Sequence, residues 1–330
     1  MTRRHTRVIQ RVTTKVVNNW LYTRFQGREN LNMSKPDKMR AGNAMKKLPT
    51  MAFSIFALLF CFAITTAAQA DIDQPWVKTS YAKVRLIPGG TATDAGEKTI
   101  RAGVQIQLDD GWKTYWRNPG DSGLPASFDF TSSKNLKQAK VLWPAPHRFT
   151  DAYGTSIGYQ KEVVFPVLVN PEQADAPVDL DLKLDYAVCK DICVPAEAHL
   201  KLKLEPDAGK SGIFDPIISQ FLDKVPVIAS PQNAKQPSIR KAKAELGAAA
   251  PLIVVDAHFP EGIEGADLFV EGPGTLYIPP PQRKDVGENG SVRFTIDLGE
   301  ATDGGALKGK TLNMTLVSDH GQSQASWTVD

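Results

Sequence analysis

From Trp76 to about Leu204 the chain is divided into short alternations of apolar and polar residues, each closed by Gly, Pro, Asn or Asp. Residues 81–87, 100–108, 163–169, 180–188 and 199–204 all follow this pattern, as in Leu180-Asp-Leu-Lys-Leu-Asp-Tyr-Ala-Val188. A period of two puts alternate side chains on opposite faces of a strand, so each segment has one face to bury. Many such segments with turn signals between them predict an antiparallel β-sandwich and argue against helical and parallel α/β folds.

The pattern then changes twice. Ile213, Phe214, Ile217, Ile218, Phe221 and Leu222 recur at helical spacing and Pro226 follows, which predicts one amphipathic helix. Residues 226–250 are rich in Pro, Gln, Lys and Ala without a clear period and read as a linker. Strand-like runs return at residues 252–255, 266–270, 292–298, 311–317 and 326–329. The expected organisation is an N-terminal extension with a signal peptide over 1–70, a β-sandwich over 71–206, a helix and linker over 207–250, and a second, smaller β domain over 251–330. A length of 330 residues suits about two domains.

Charge separates the first 50 residues from the rest. They hold twelve Lys or Arg against Glu29 and Asp37, which leaves 27 basic and 34 acidic residues over 51–330. A mildly acidic body has no electrostatic footprint for a phosphate backbone, so nucleic acid is not an expected partner. Met45-Lys-Lys47, an apolar run from Met51 to about Ala63, and Ala68-Gln-Ala70 form the three parts of a secretory signal, with cleavage expected after Ala70. Residues 1–44 then precede a true start at Met33, Met39 or Met45, or extend the basic region. An organellar presequence and a retained anchor are the competing readings, since roughly 18 apolar residues approach a membrane span. A periplasmic, exported protein is the expectation.

Cleavage would remove Cys61 and leave Cys189 and Cys193, an isolated pair that in an oxidising compartment reads first as a disulfide. The strand pattern runs into Cys189-Lys-Asp-Ile-Cys193 and resumes after it, with Pro195 opposing a helix. A three-residue hairpin loop would set the cysteines opposite each other, at the roughly 4.4–6.8 Å Cα separation a disulfide tolerates. So short a loop gains least from closure, which favours an exchanging bond over a structural staple. Two alternatives remain: a non-enzymatic periplasmic binding module with a structural disulfide, and a copper or zinc carrier in which His199 or another residue joins the cysteines; two cysteines four apart give a weak zinc signal. Trp112, Tyr115 and Trp116 are expected in the core, with the lining of a partner groove as the competing reading, and Lys190 has a minor possible role in favouring a thiolate at Cys189. The sequence has no Ser-His-Asp order, phosphate-binding glycine loop or paired catalytic carboxylates, so hydrolase and nucleotide functions are not expected.

Four stretches resemble the N-terminal periplasmic domain of the DsbD and ScsB thiol–disulfide reductases. They are Gly111-Trp-Lys-Thr-Tyr-Trp-Arg-Asn-Pro-Gly-Asp-Ser-Gly-Leu-Pro125, Trp143-Pro-Ala-Pro-His-Arg-Phe149, Tyr153-Gly154 through Val163-Val-Phe-Pro166, and Asp185-Tyr-Ala-Val-Cys-Lys-Asp-Ile-Cys-Val-Pro195. The resemblance covers about residues 76–205 and implies an immunoglobulin-like sandwich that acts as a thiol–disulfide oxidoreductase without a cofactor. It implies that Cys193 forms the mixed disulfide and Cys189 resolves it. It also implies a cap loop at Phe149–Gly154, in which the shielding falls to Phe149 or Tyr153. Apart from the resemblance, Asp121 and Asp151 are candidates for proton transfer near the cysteines, with turn formation as the competing reading for acids beside Gly and Pro. The implied partners are a membrane-embedded thiol reductase acting in trans and periplasmic thioredoxin-fold oxidoreductases, with no small-molecule substrate. The chain departs from DsbD in its shorter loop between the cysteines, closer to ScsB, and in having Ala152 where the DsbD cap carries an aromatic.

Overall fold

A computed structural model of the chain describes residues 74–330 except 95, 152–153, 207–208, 210–211, 231–233, 248–249, 275 and 300–303. The proposed signal peptide and Cys61 lie outside the described residues. The fold is mostly β, as expected.

The first sandwich has two antiparallel sheets. One is ordered β1 (Val77–Thr79), β2 (Ala82–Asp94), β3 (Glu97–Leu108), β9 (Glu162–Pro171) and β6 (Leu136–Val141). The other is ordered β11 (Cys193–Leu204), β10 (Val178–Cys189), β4 (Lys113–Gly120), β8 (Gly154–Gln160) and β7 (His147–Asp151), with β5 (Ser127–Asp129) on β10. Alternation places Leu180, Leu182, Leu184 and Tyr186 of β10 and Ile100, Ala102, Val104 and Ile106 of β3 in one core. Strand β9 instead reads as a continuous apolar run, Val-Val-Phe-Pro-Val-Leu-Val, and Val163 to Val169 are buried. Helix α1 (Asp215–Leu222) packs on this sheet, so the strand is covered on both faces. Ile218 and Phe221 of α1 enter the same core.

Helix α1 is shorter than the expected 213–225, and Ile213 is exposed. Its first residue, Asp215, is buried. The carboxylate accepts hydrogen bonds from the backbone N–H groups of Gly90 (3.0 Å) and Gly212 and lies 3.0 Å from the Arg101 guanidinium. One buried carboxylate thus joins the helix start to the irregular register of β2, between Pro88 and Thr91.

The second sandwich pairs β12 (Val227–Ile228), β19 (Gly321–Thr328), β18 (Thr311–Ser318) and β15 (Asp267–Glu271) in one sheet. The other sheet contains β13 (Ser238–Glu245), β14 (Leu252–His258), β17 (Ser291–Asp297) and β16 (Gln282–Val286). Ile253, Val255, Phe294, Ile296, Leu312, Met314 and Leu316 are among its core residues. Reading 226–250 as a linker needs correction, because β12 pairs parallel to β19 and β13 pairs antiparallel to β14. Strand β13 turns only Ile239, Ala242 and Ala244 toward the core, and a bulge between Ile239 and Lys241 breaks the alternation that sequence reading depends on.

The two cores share one compact unit, Ala68–Asp330. In β15, Leu268 and Val270 point into the second core while Phe269 between them joins the first, 5.8 Å from Trp116. Two arginines of the first sandwich flank this contact. Arg148 bonds both carboxylate oxygens of Asp267 (2.7 and 2.8 Å), and Arg117 bonds both of Glu271 (2.8 Å each). Among the described residues no helix is long and apolar enough to cross a membrane.

Candidate redox site

Strands β10 and β11 pair without a break from Val178↔Leu204 to Cys189↔Cys193, leaving Lys190, Asp191 and Ile192 as the loop. The Lys190 N–H donates to the Ile192 carbonyl at 3.1 Å and closes the turn. Cys189 and Cys193 are joined as a disulfide with a Cα separation of 4.2 Å, just under the expected range. Their exposure differs sharply. Cys189 has 2% of its surface accessible, whereas Cys193 is exposed. The cause is position in the sheet: β10 lies inside, between β11 and β4, while β11 is an edge strand.

On its other side β10 pairs with β4, which sets Lys113 opposite Cys189 and Thr114 opposite Val188. Thr114 Oγ1 donates to the Ala187 carbonyl at 2.8 Å and ties this end of the ladder. Tyr115, the next residue, packs with Ala187 and Cys189, and its hydroxyl lies 3.2 Å from Cys193 Sγ. A disulfide sulfur carries no proton, so the tyrosine is the donor. Burial, aided by the negative charge of Asp151, pushes the Tyr115 hydroxyl above its ordinary pKa and keeps it protonated. Gly123, at φ +132°, lies against the Tyr115 ring and leaves no room there for a side chain.

Lys113 links the pair to the β7–β8 hairpin. Its Nζ lies 3.2 Å from Asp151 Oδ2 and 2.8 Å from Ser156 Oγ, and 5.8 Å from the Phe149 ring centroid. Phe149 and Asp151 therefore belong to the surroundings of Cys189 through Lys113. Ala152 and Tyr153 lie outside the described residues. The Asp121 carboxylate accepts from the Thr155 N–H at 2.8 Å and from the Tyr277 hydroxyl. Lys190 extends along Gly111. His199 lies 2.9 Å from Glu197, and among the described residues no group of three His, Cys, Asp or Glu side chains could hold a metal ion.

Trp112, Tyr115 and Trp116 are buried. Sequence reading placed Tyr115 in the core but missed its contact with sulfur, and it missed Lys113 altogether. The contact depends on the β4–β10 register, for which neither strand carries a local signal.

Residues 83–205 match the family of the thiol:disulfide interchange protein DsbD, N-terminal domain. The DsbD-like region therefore spans β2 to β11 and includes both cysteines, Tyr115 and the β7–β8 hairpin. The solved structure of the N-terminal periplasmic domain of ScsB from Proteus mirabilis superposes with a TM-score of 0.60 at 22% identity. That likeness covers 78% of this chain and 98% of the other, so the shared fold extends beyond the DsbD-like region. No curated protein matches the chain.

Proposed function

We propose that the DsbD-like region is a thiol–disulfide relay that receives electrons from a membrane-embedded reductase and passes them to thioredoxin-fold oxidoreductases in the periplasm. The observation that carries this reading is the asymmetry of the pair: an exposed Cys193 touched by a protonated tyrosine, bonded to a buried Cys189 across a three-residue loop. Exchange needs one sulfur that a partner can reach and a second that resolves the intermediate.

On reduction, a donor thiolate attacks Cys193 Sγ, the S–S bond breaks, and Cys189 Sγ leaves as a thiolate that takes up a proton. The donor's second thiol loses its proton, attacks the donor sulfur of the mixed disulfide and releases Cys193. The protein's disulfide becomes two thiols, the donor's two thiols become a disulfide, and two electrons and two protons have moved. The same steps in reverse, begun by Cys193 on an acceptor disulfide, return the pair to its oxidised state. Tyr115 supports this role by donating to the sulfur that carries negative charge between steps. Ile192, 61% exposed beside Cys193, adds apolar surface where a partner must dock.

In this reading residues 71–206 form the redox domain, exported by the signal ending near Ala70. Residues 251–330, together with β12 and β13, form a second domain. The test is the reduction potential of the pair, measured against a thiol redox buffer. A relay requires a value above about −300 mV, whereas a lower one marks an inert structural bond and a binding module in place of a relay.

A further inference from the structure

Exposed apolar side chains collect around the accessible sulfur. Ile192, 61% exposed, immediately precedes Cys193 in the loop. Pro195, also exposed, lies two residues further along β11 and so on the face that carries Cys193. Leu124, 52% exposed, follows Gly123, where a Cβ would lie 2.3 Å from the Tyr115 ring, and the hydroxyl of that ring is bonded to Cys193 Sγ. One tyrosine side chain thus separates Leu124 from the sulfur. A lone exposed Leu or Ile needs no explanation, but three apolar side chains around one reactive atom do. Beyond Pro195 the same face turns charged: Lys183 lies 3.6 Å from Asp185 and 3.3 Å from Glu197, and His199 lies 2.9 Å from Glu197. An apolar centre that gives way to charged groups has the make-up of a protein–protein interface.

We infer that Leu124, Ile192 and Pro195 form a docking face that selects a thioredoxin-fold protein by the apolar surface around its reactive cysteine. The inference deepens the relay reading and rests on it. For a partner's sulfur to reach Cys193 Sγ, the surface around that sulfur must come down on these three side chains and bury them. Burial favours a partner that is apolar there and penalises one whose charged groups would be left desolvated and unpaired. Strand addition along the β11 edge is the other way to hold a partner. It is opposed by Pro195, which has no N–H for an added strand, and by Lys201 and Lys203 further along the edge. None of the three side chains carries a group that moves a proton or stabilises a thiolate. The face therefore acts on association alone, and a small thiol needs none of it.

The test compares two reductants of the disulfide in the full chain, reduced thioredoxin and dithiothreitol, each of which exchanges two thiols for a disulfide. The rates are read by alkylating Cys193 as it is released. Leu124→Gln and Ile192→Gln remove apolar surface without changing the charge at the site. Each should lower the second-order rate constant for thioredoxin roughly 5- to 30-fold and leave the rate with dithiothreitol unchanged. Ile213→Gln alters an equally exposed side chain, 67% accessible, just before α1 on the other sheet, and should leave both rates unchanged. Unchanged thioredoxin rates in Leu124→Gln and Ile192→Gln overturn the inference. So does an equal loss with both reductants, which would place these residues in the chemistry or the fold, and so does an equal loss in Ile213→Gln. Failure of the relay reading is distinguishable: the wild-type disulfide would then be reduced by dithiothreitol but not by thioredoxin, and the inference would fall with it.

Discussion

At the scale of single residues, Tyr115 has the most to do at the site. It is buried, held protonated by that burial and by Asp151, and hydrogen-bonded to the exposed sulfur. A donor to a thiolate stabilises the charged form, so removing it should make Cys193 a weaker acid. In the reduced protein, Tyr115→Phe is expected to leave less of Cys193 ionised near neutral pH and to slow exchange there. The thiolate's ultraviolet absorbance followed against pH measures this, and an unchanged titration would remove Tyr115 from the chemistry. The paired cysteines were legible because a motif carries them. Tyr115 was not, because an aromatic at a core period looks the same whether its hydroxyl meets solvent, carbonyl or sulfur.

Among the elements, α1 depends on a polar contact that its apolar period does not announce. The periodicity gives Ile218 and Phe221, which bury the helix, but not Asp215, which takes backbone N–H groups from two segments and the Arg101 guanidinium inside the protein. Asp215→Ala should leave Arg101 without this carboxylate in a buried setting and cost about 3–5 kcal/mol, read as a shift in the urea unfolding midpoint. A cost below about 1 kcal/mol would mean that solvent replaces the carboxylate and that packing alone fixes the helix. Strands were legible where one face is apolar, as in β10 and β17. They were illegible at the edges of the second sandwich, where β16 is exposed throughout and β13 is interrupted by a bulge. Edge strands rich in Lys and Arg resist pairing with other chains, and that composition makes them look like linkers.

In the whole molecule, β15 serves two cores and the hairpin contacts surround it. Such sharing is hidden in sequence, since Phe269 has the same period as its neighbours whichever sandwich it enters. Alkaline pH should loosen this junction. The Tyr277 hydroxyl is pushed up to about 12, first by burial and then by its bond to Asp121 and that residue's charge. Its ordinary value is 10.0, so in the unfolded chain it loses its proton first. The stability it contributes is therefore full below pH 10 and is lost as pH rises from 10.0 toward about 12. The difference in stability between wild type and Tyr277→Phe should shrink over that window, and a constant difference would contradict the assignment. The relay itself is tested most directly by trapping mixed disulfides with a periplasmic thioredoxin-fold partner. Cys189→Ser should accumulate a mixed disulfide through Cys193, because nothing remains to resolve it, and Cys193→Ser should accumulate far less. Equal trapping by the two variants, or none by either, would contradict the account.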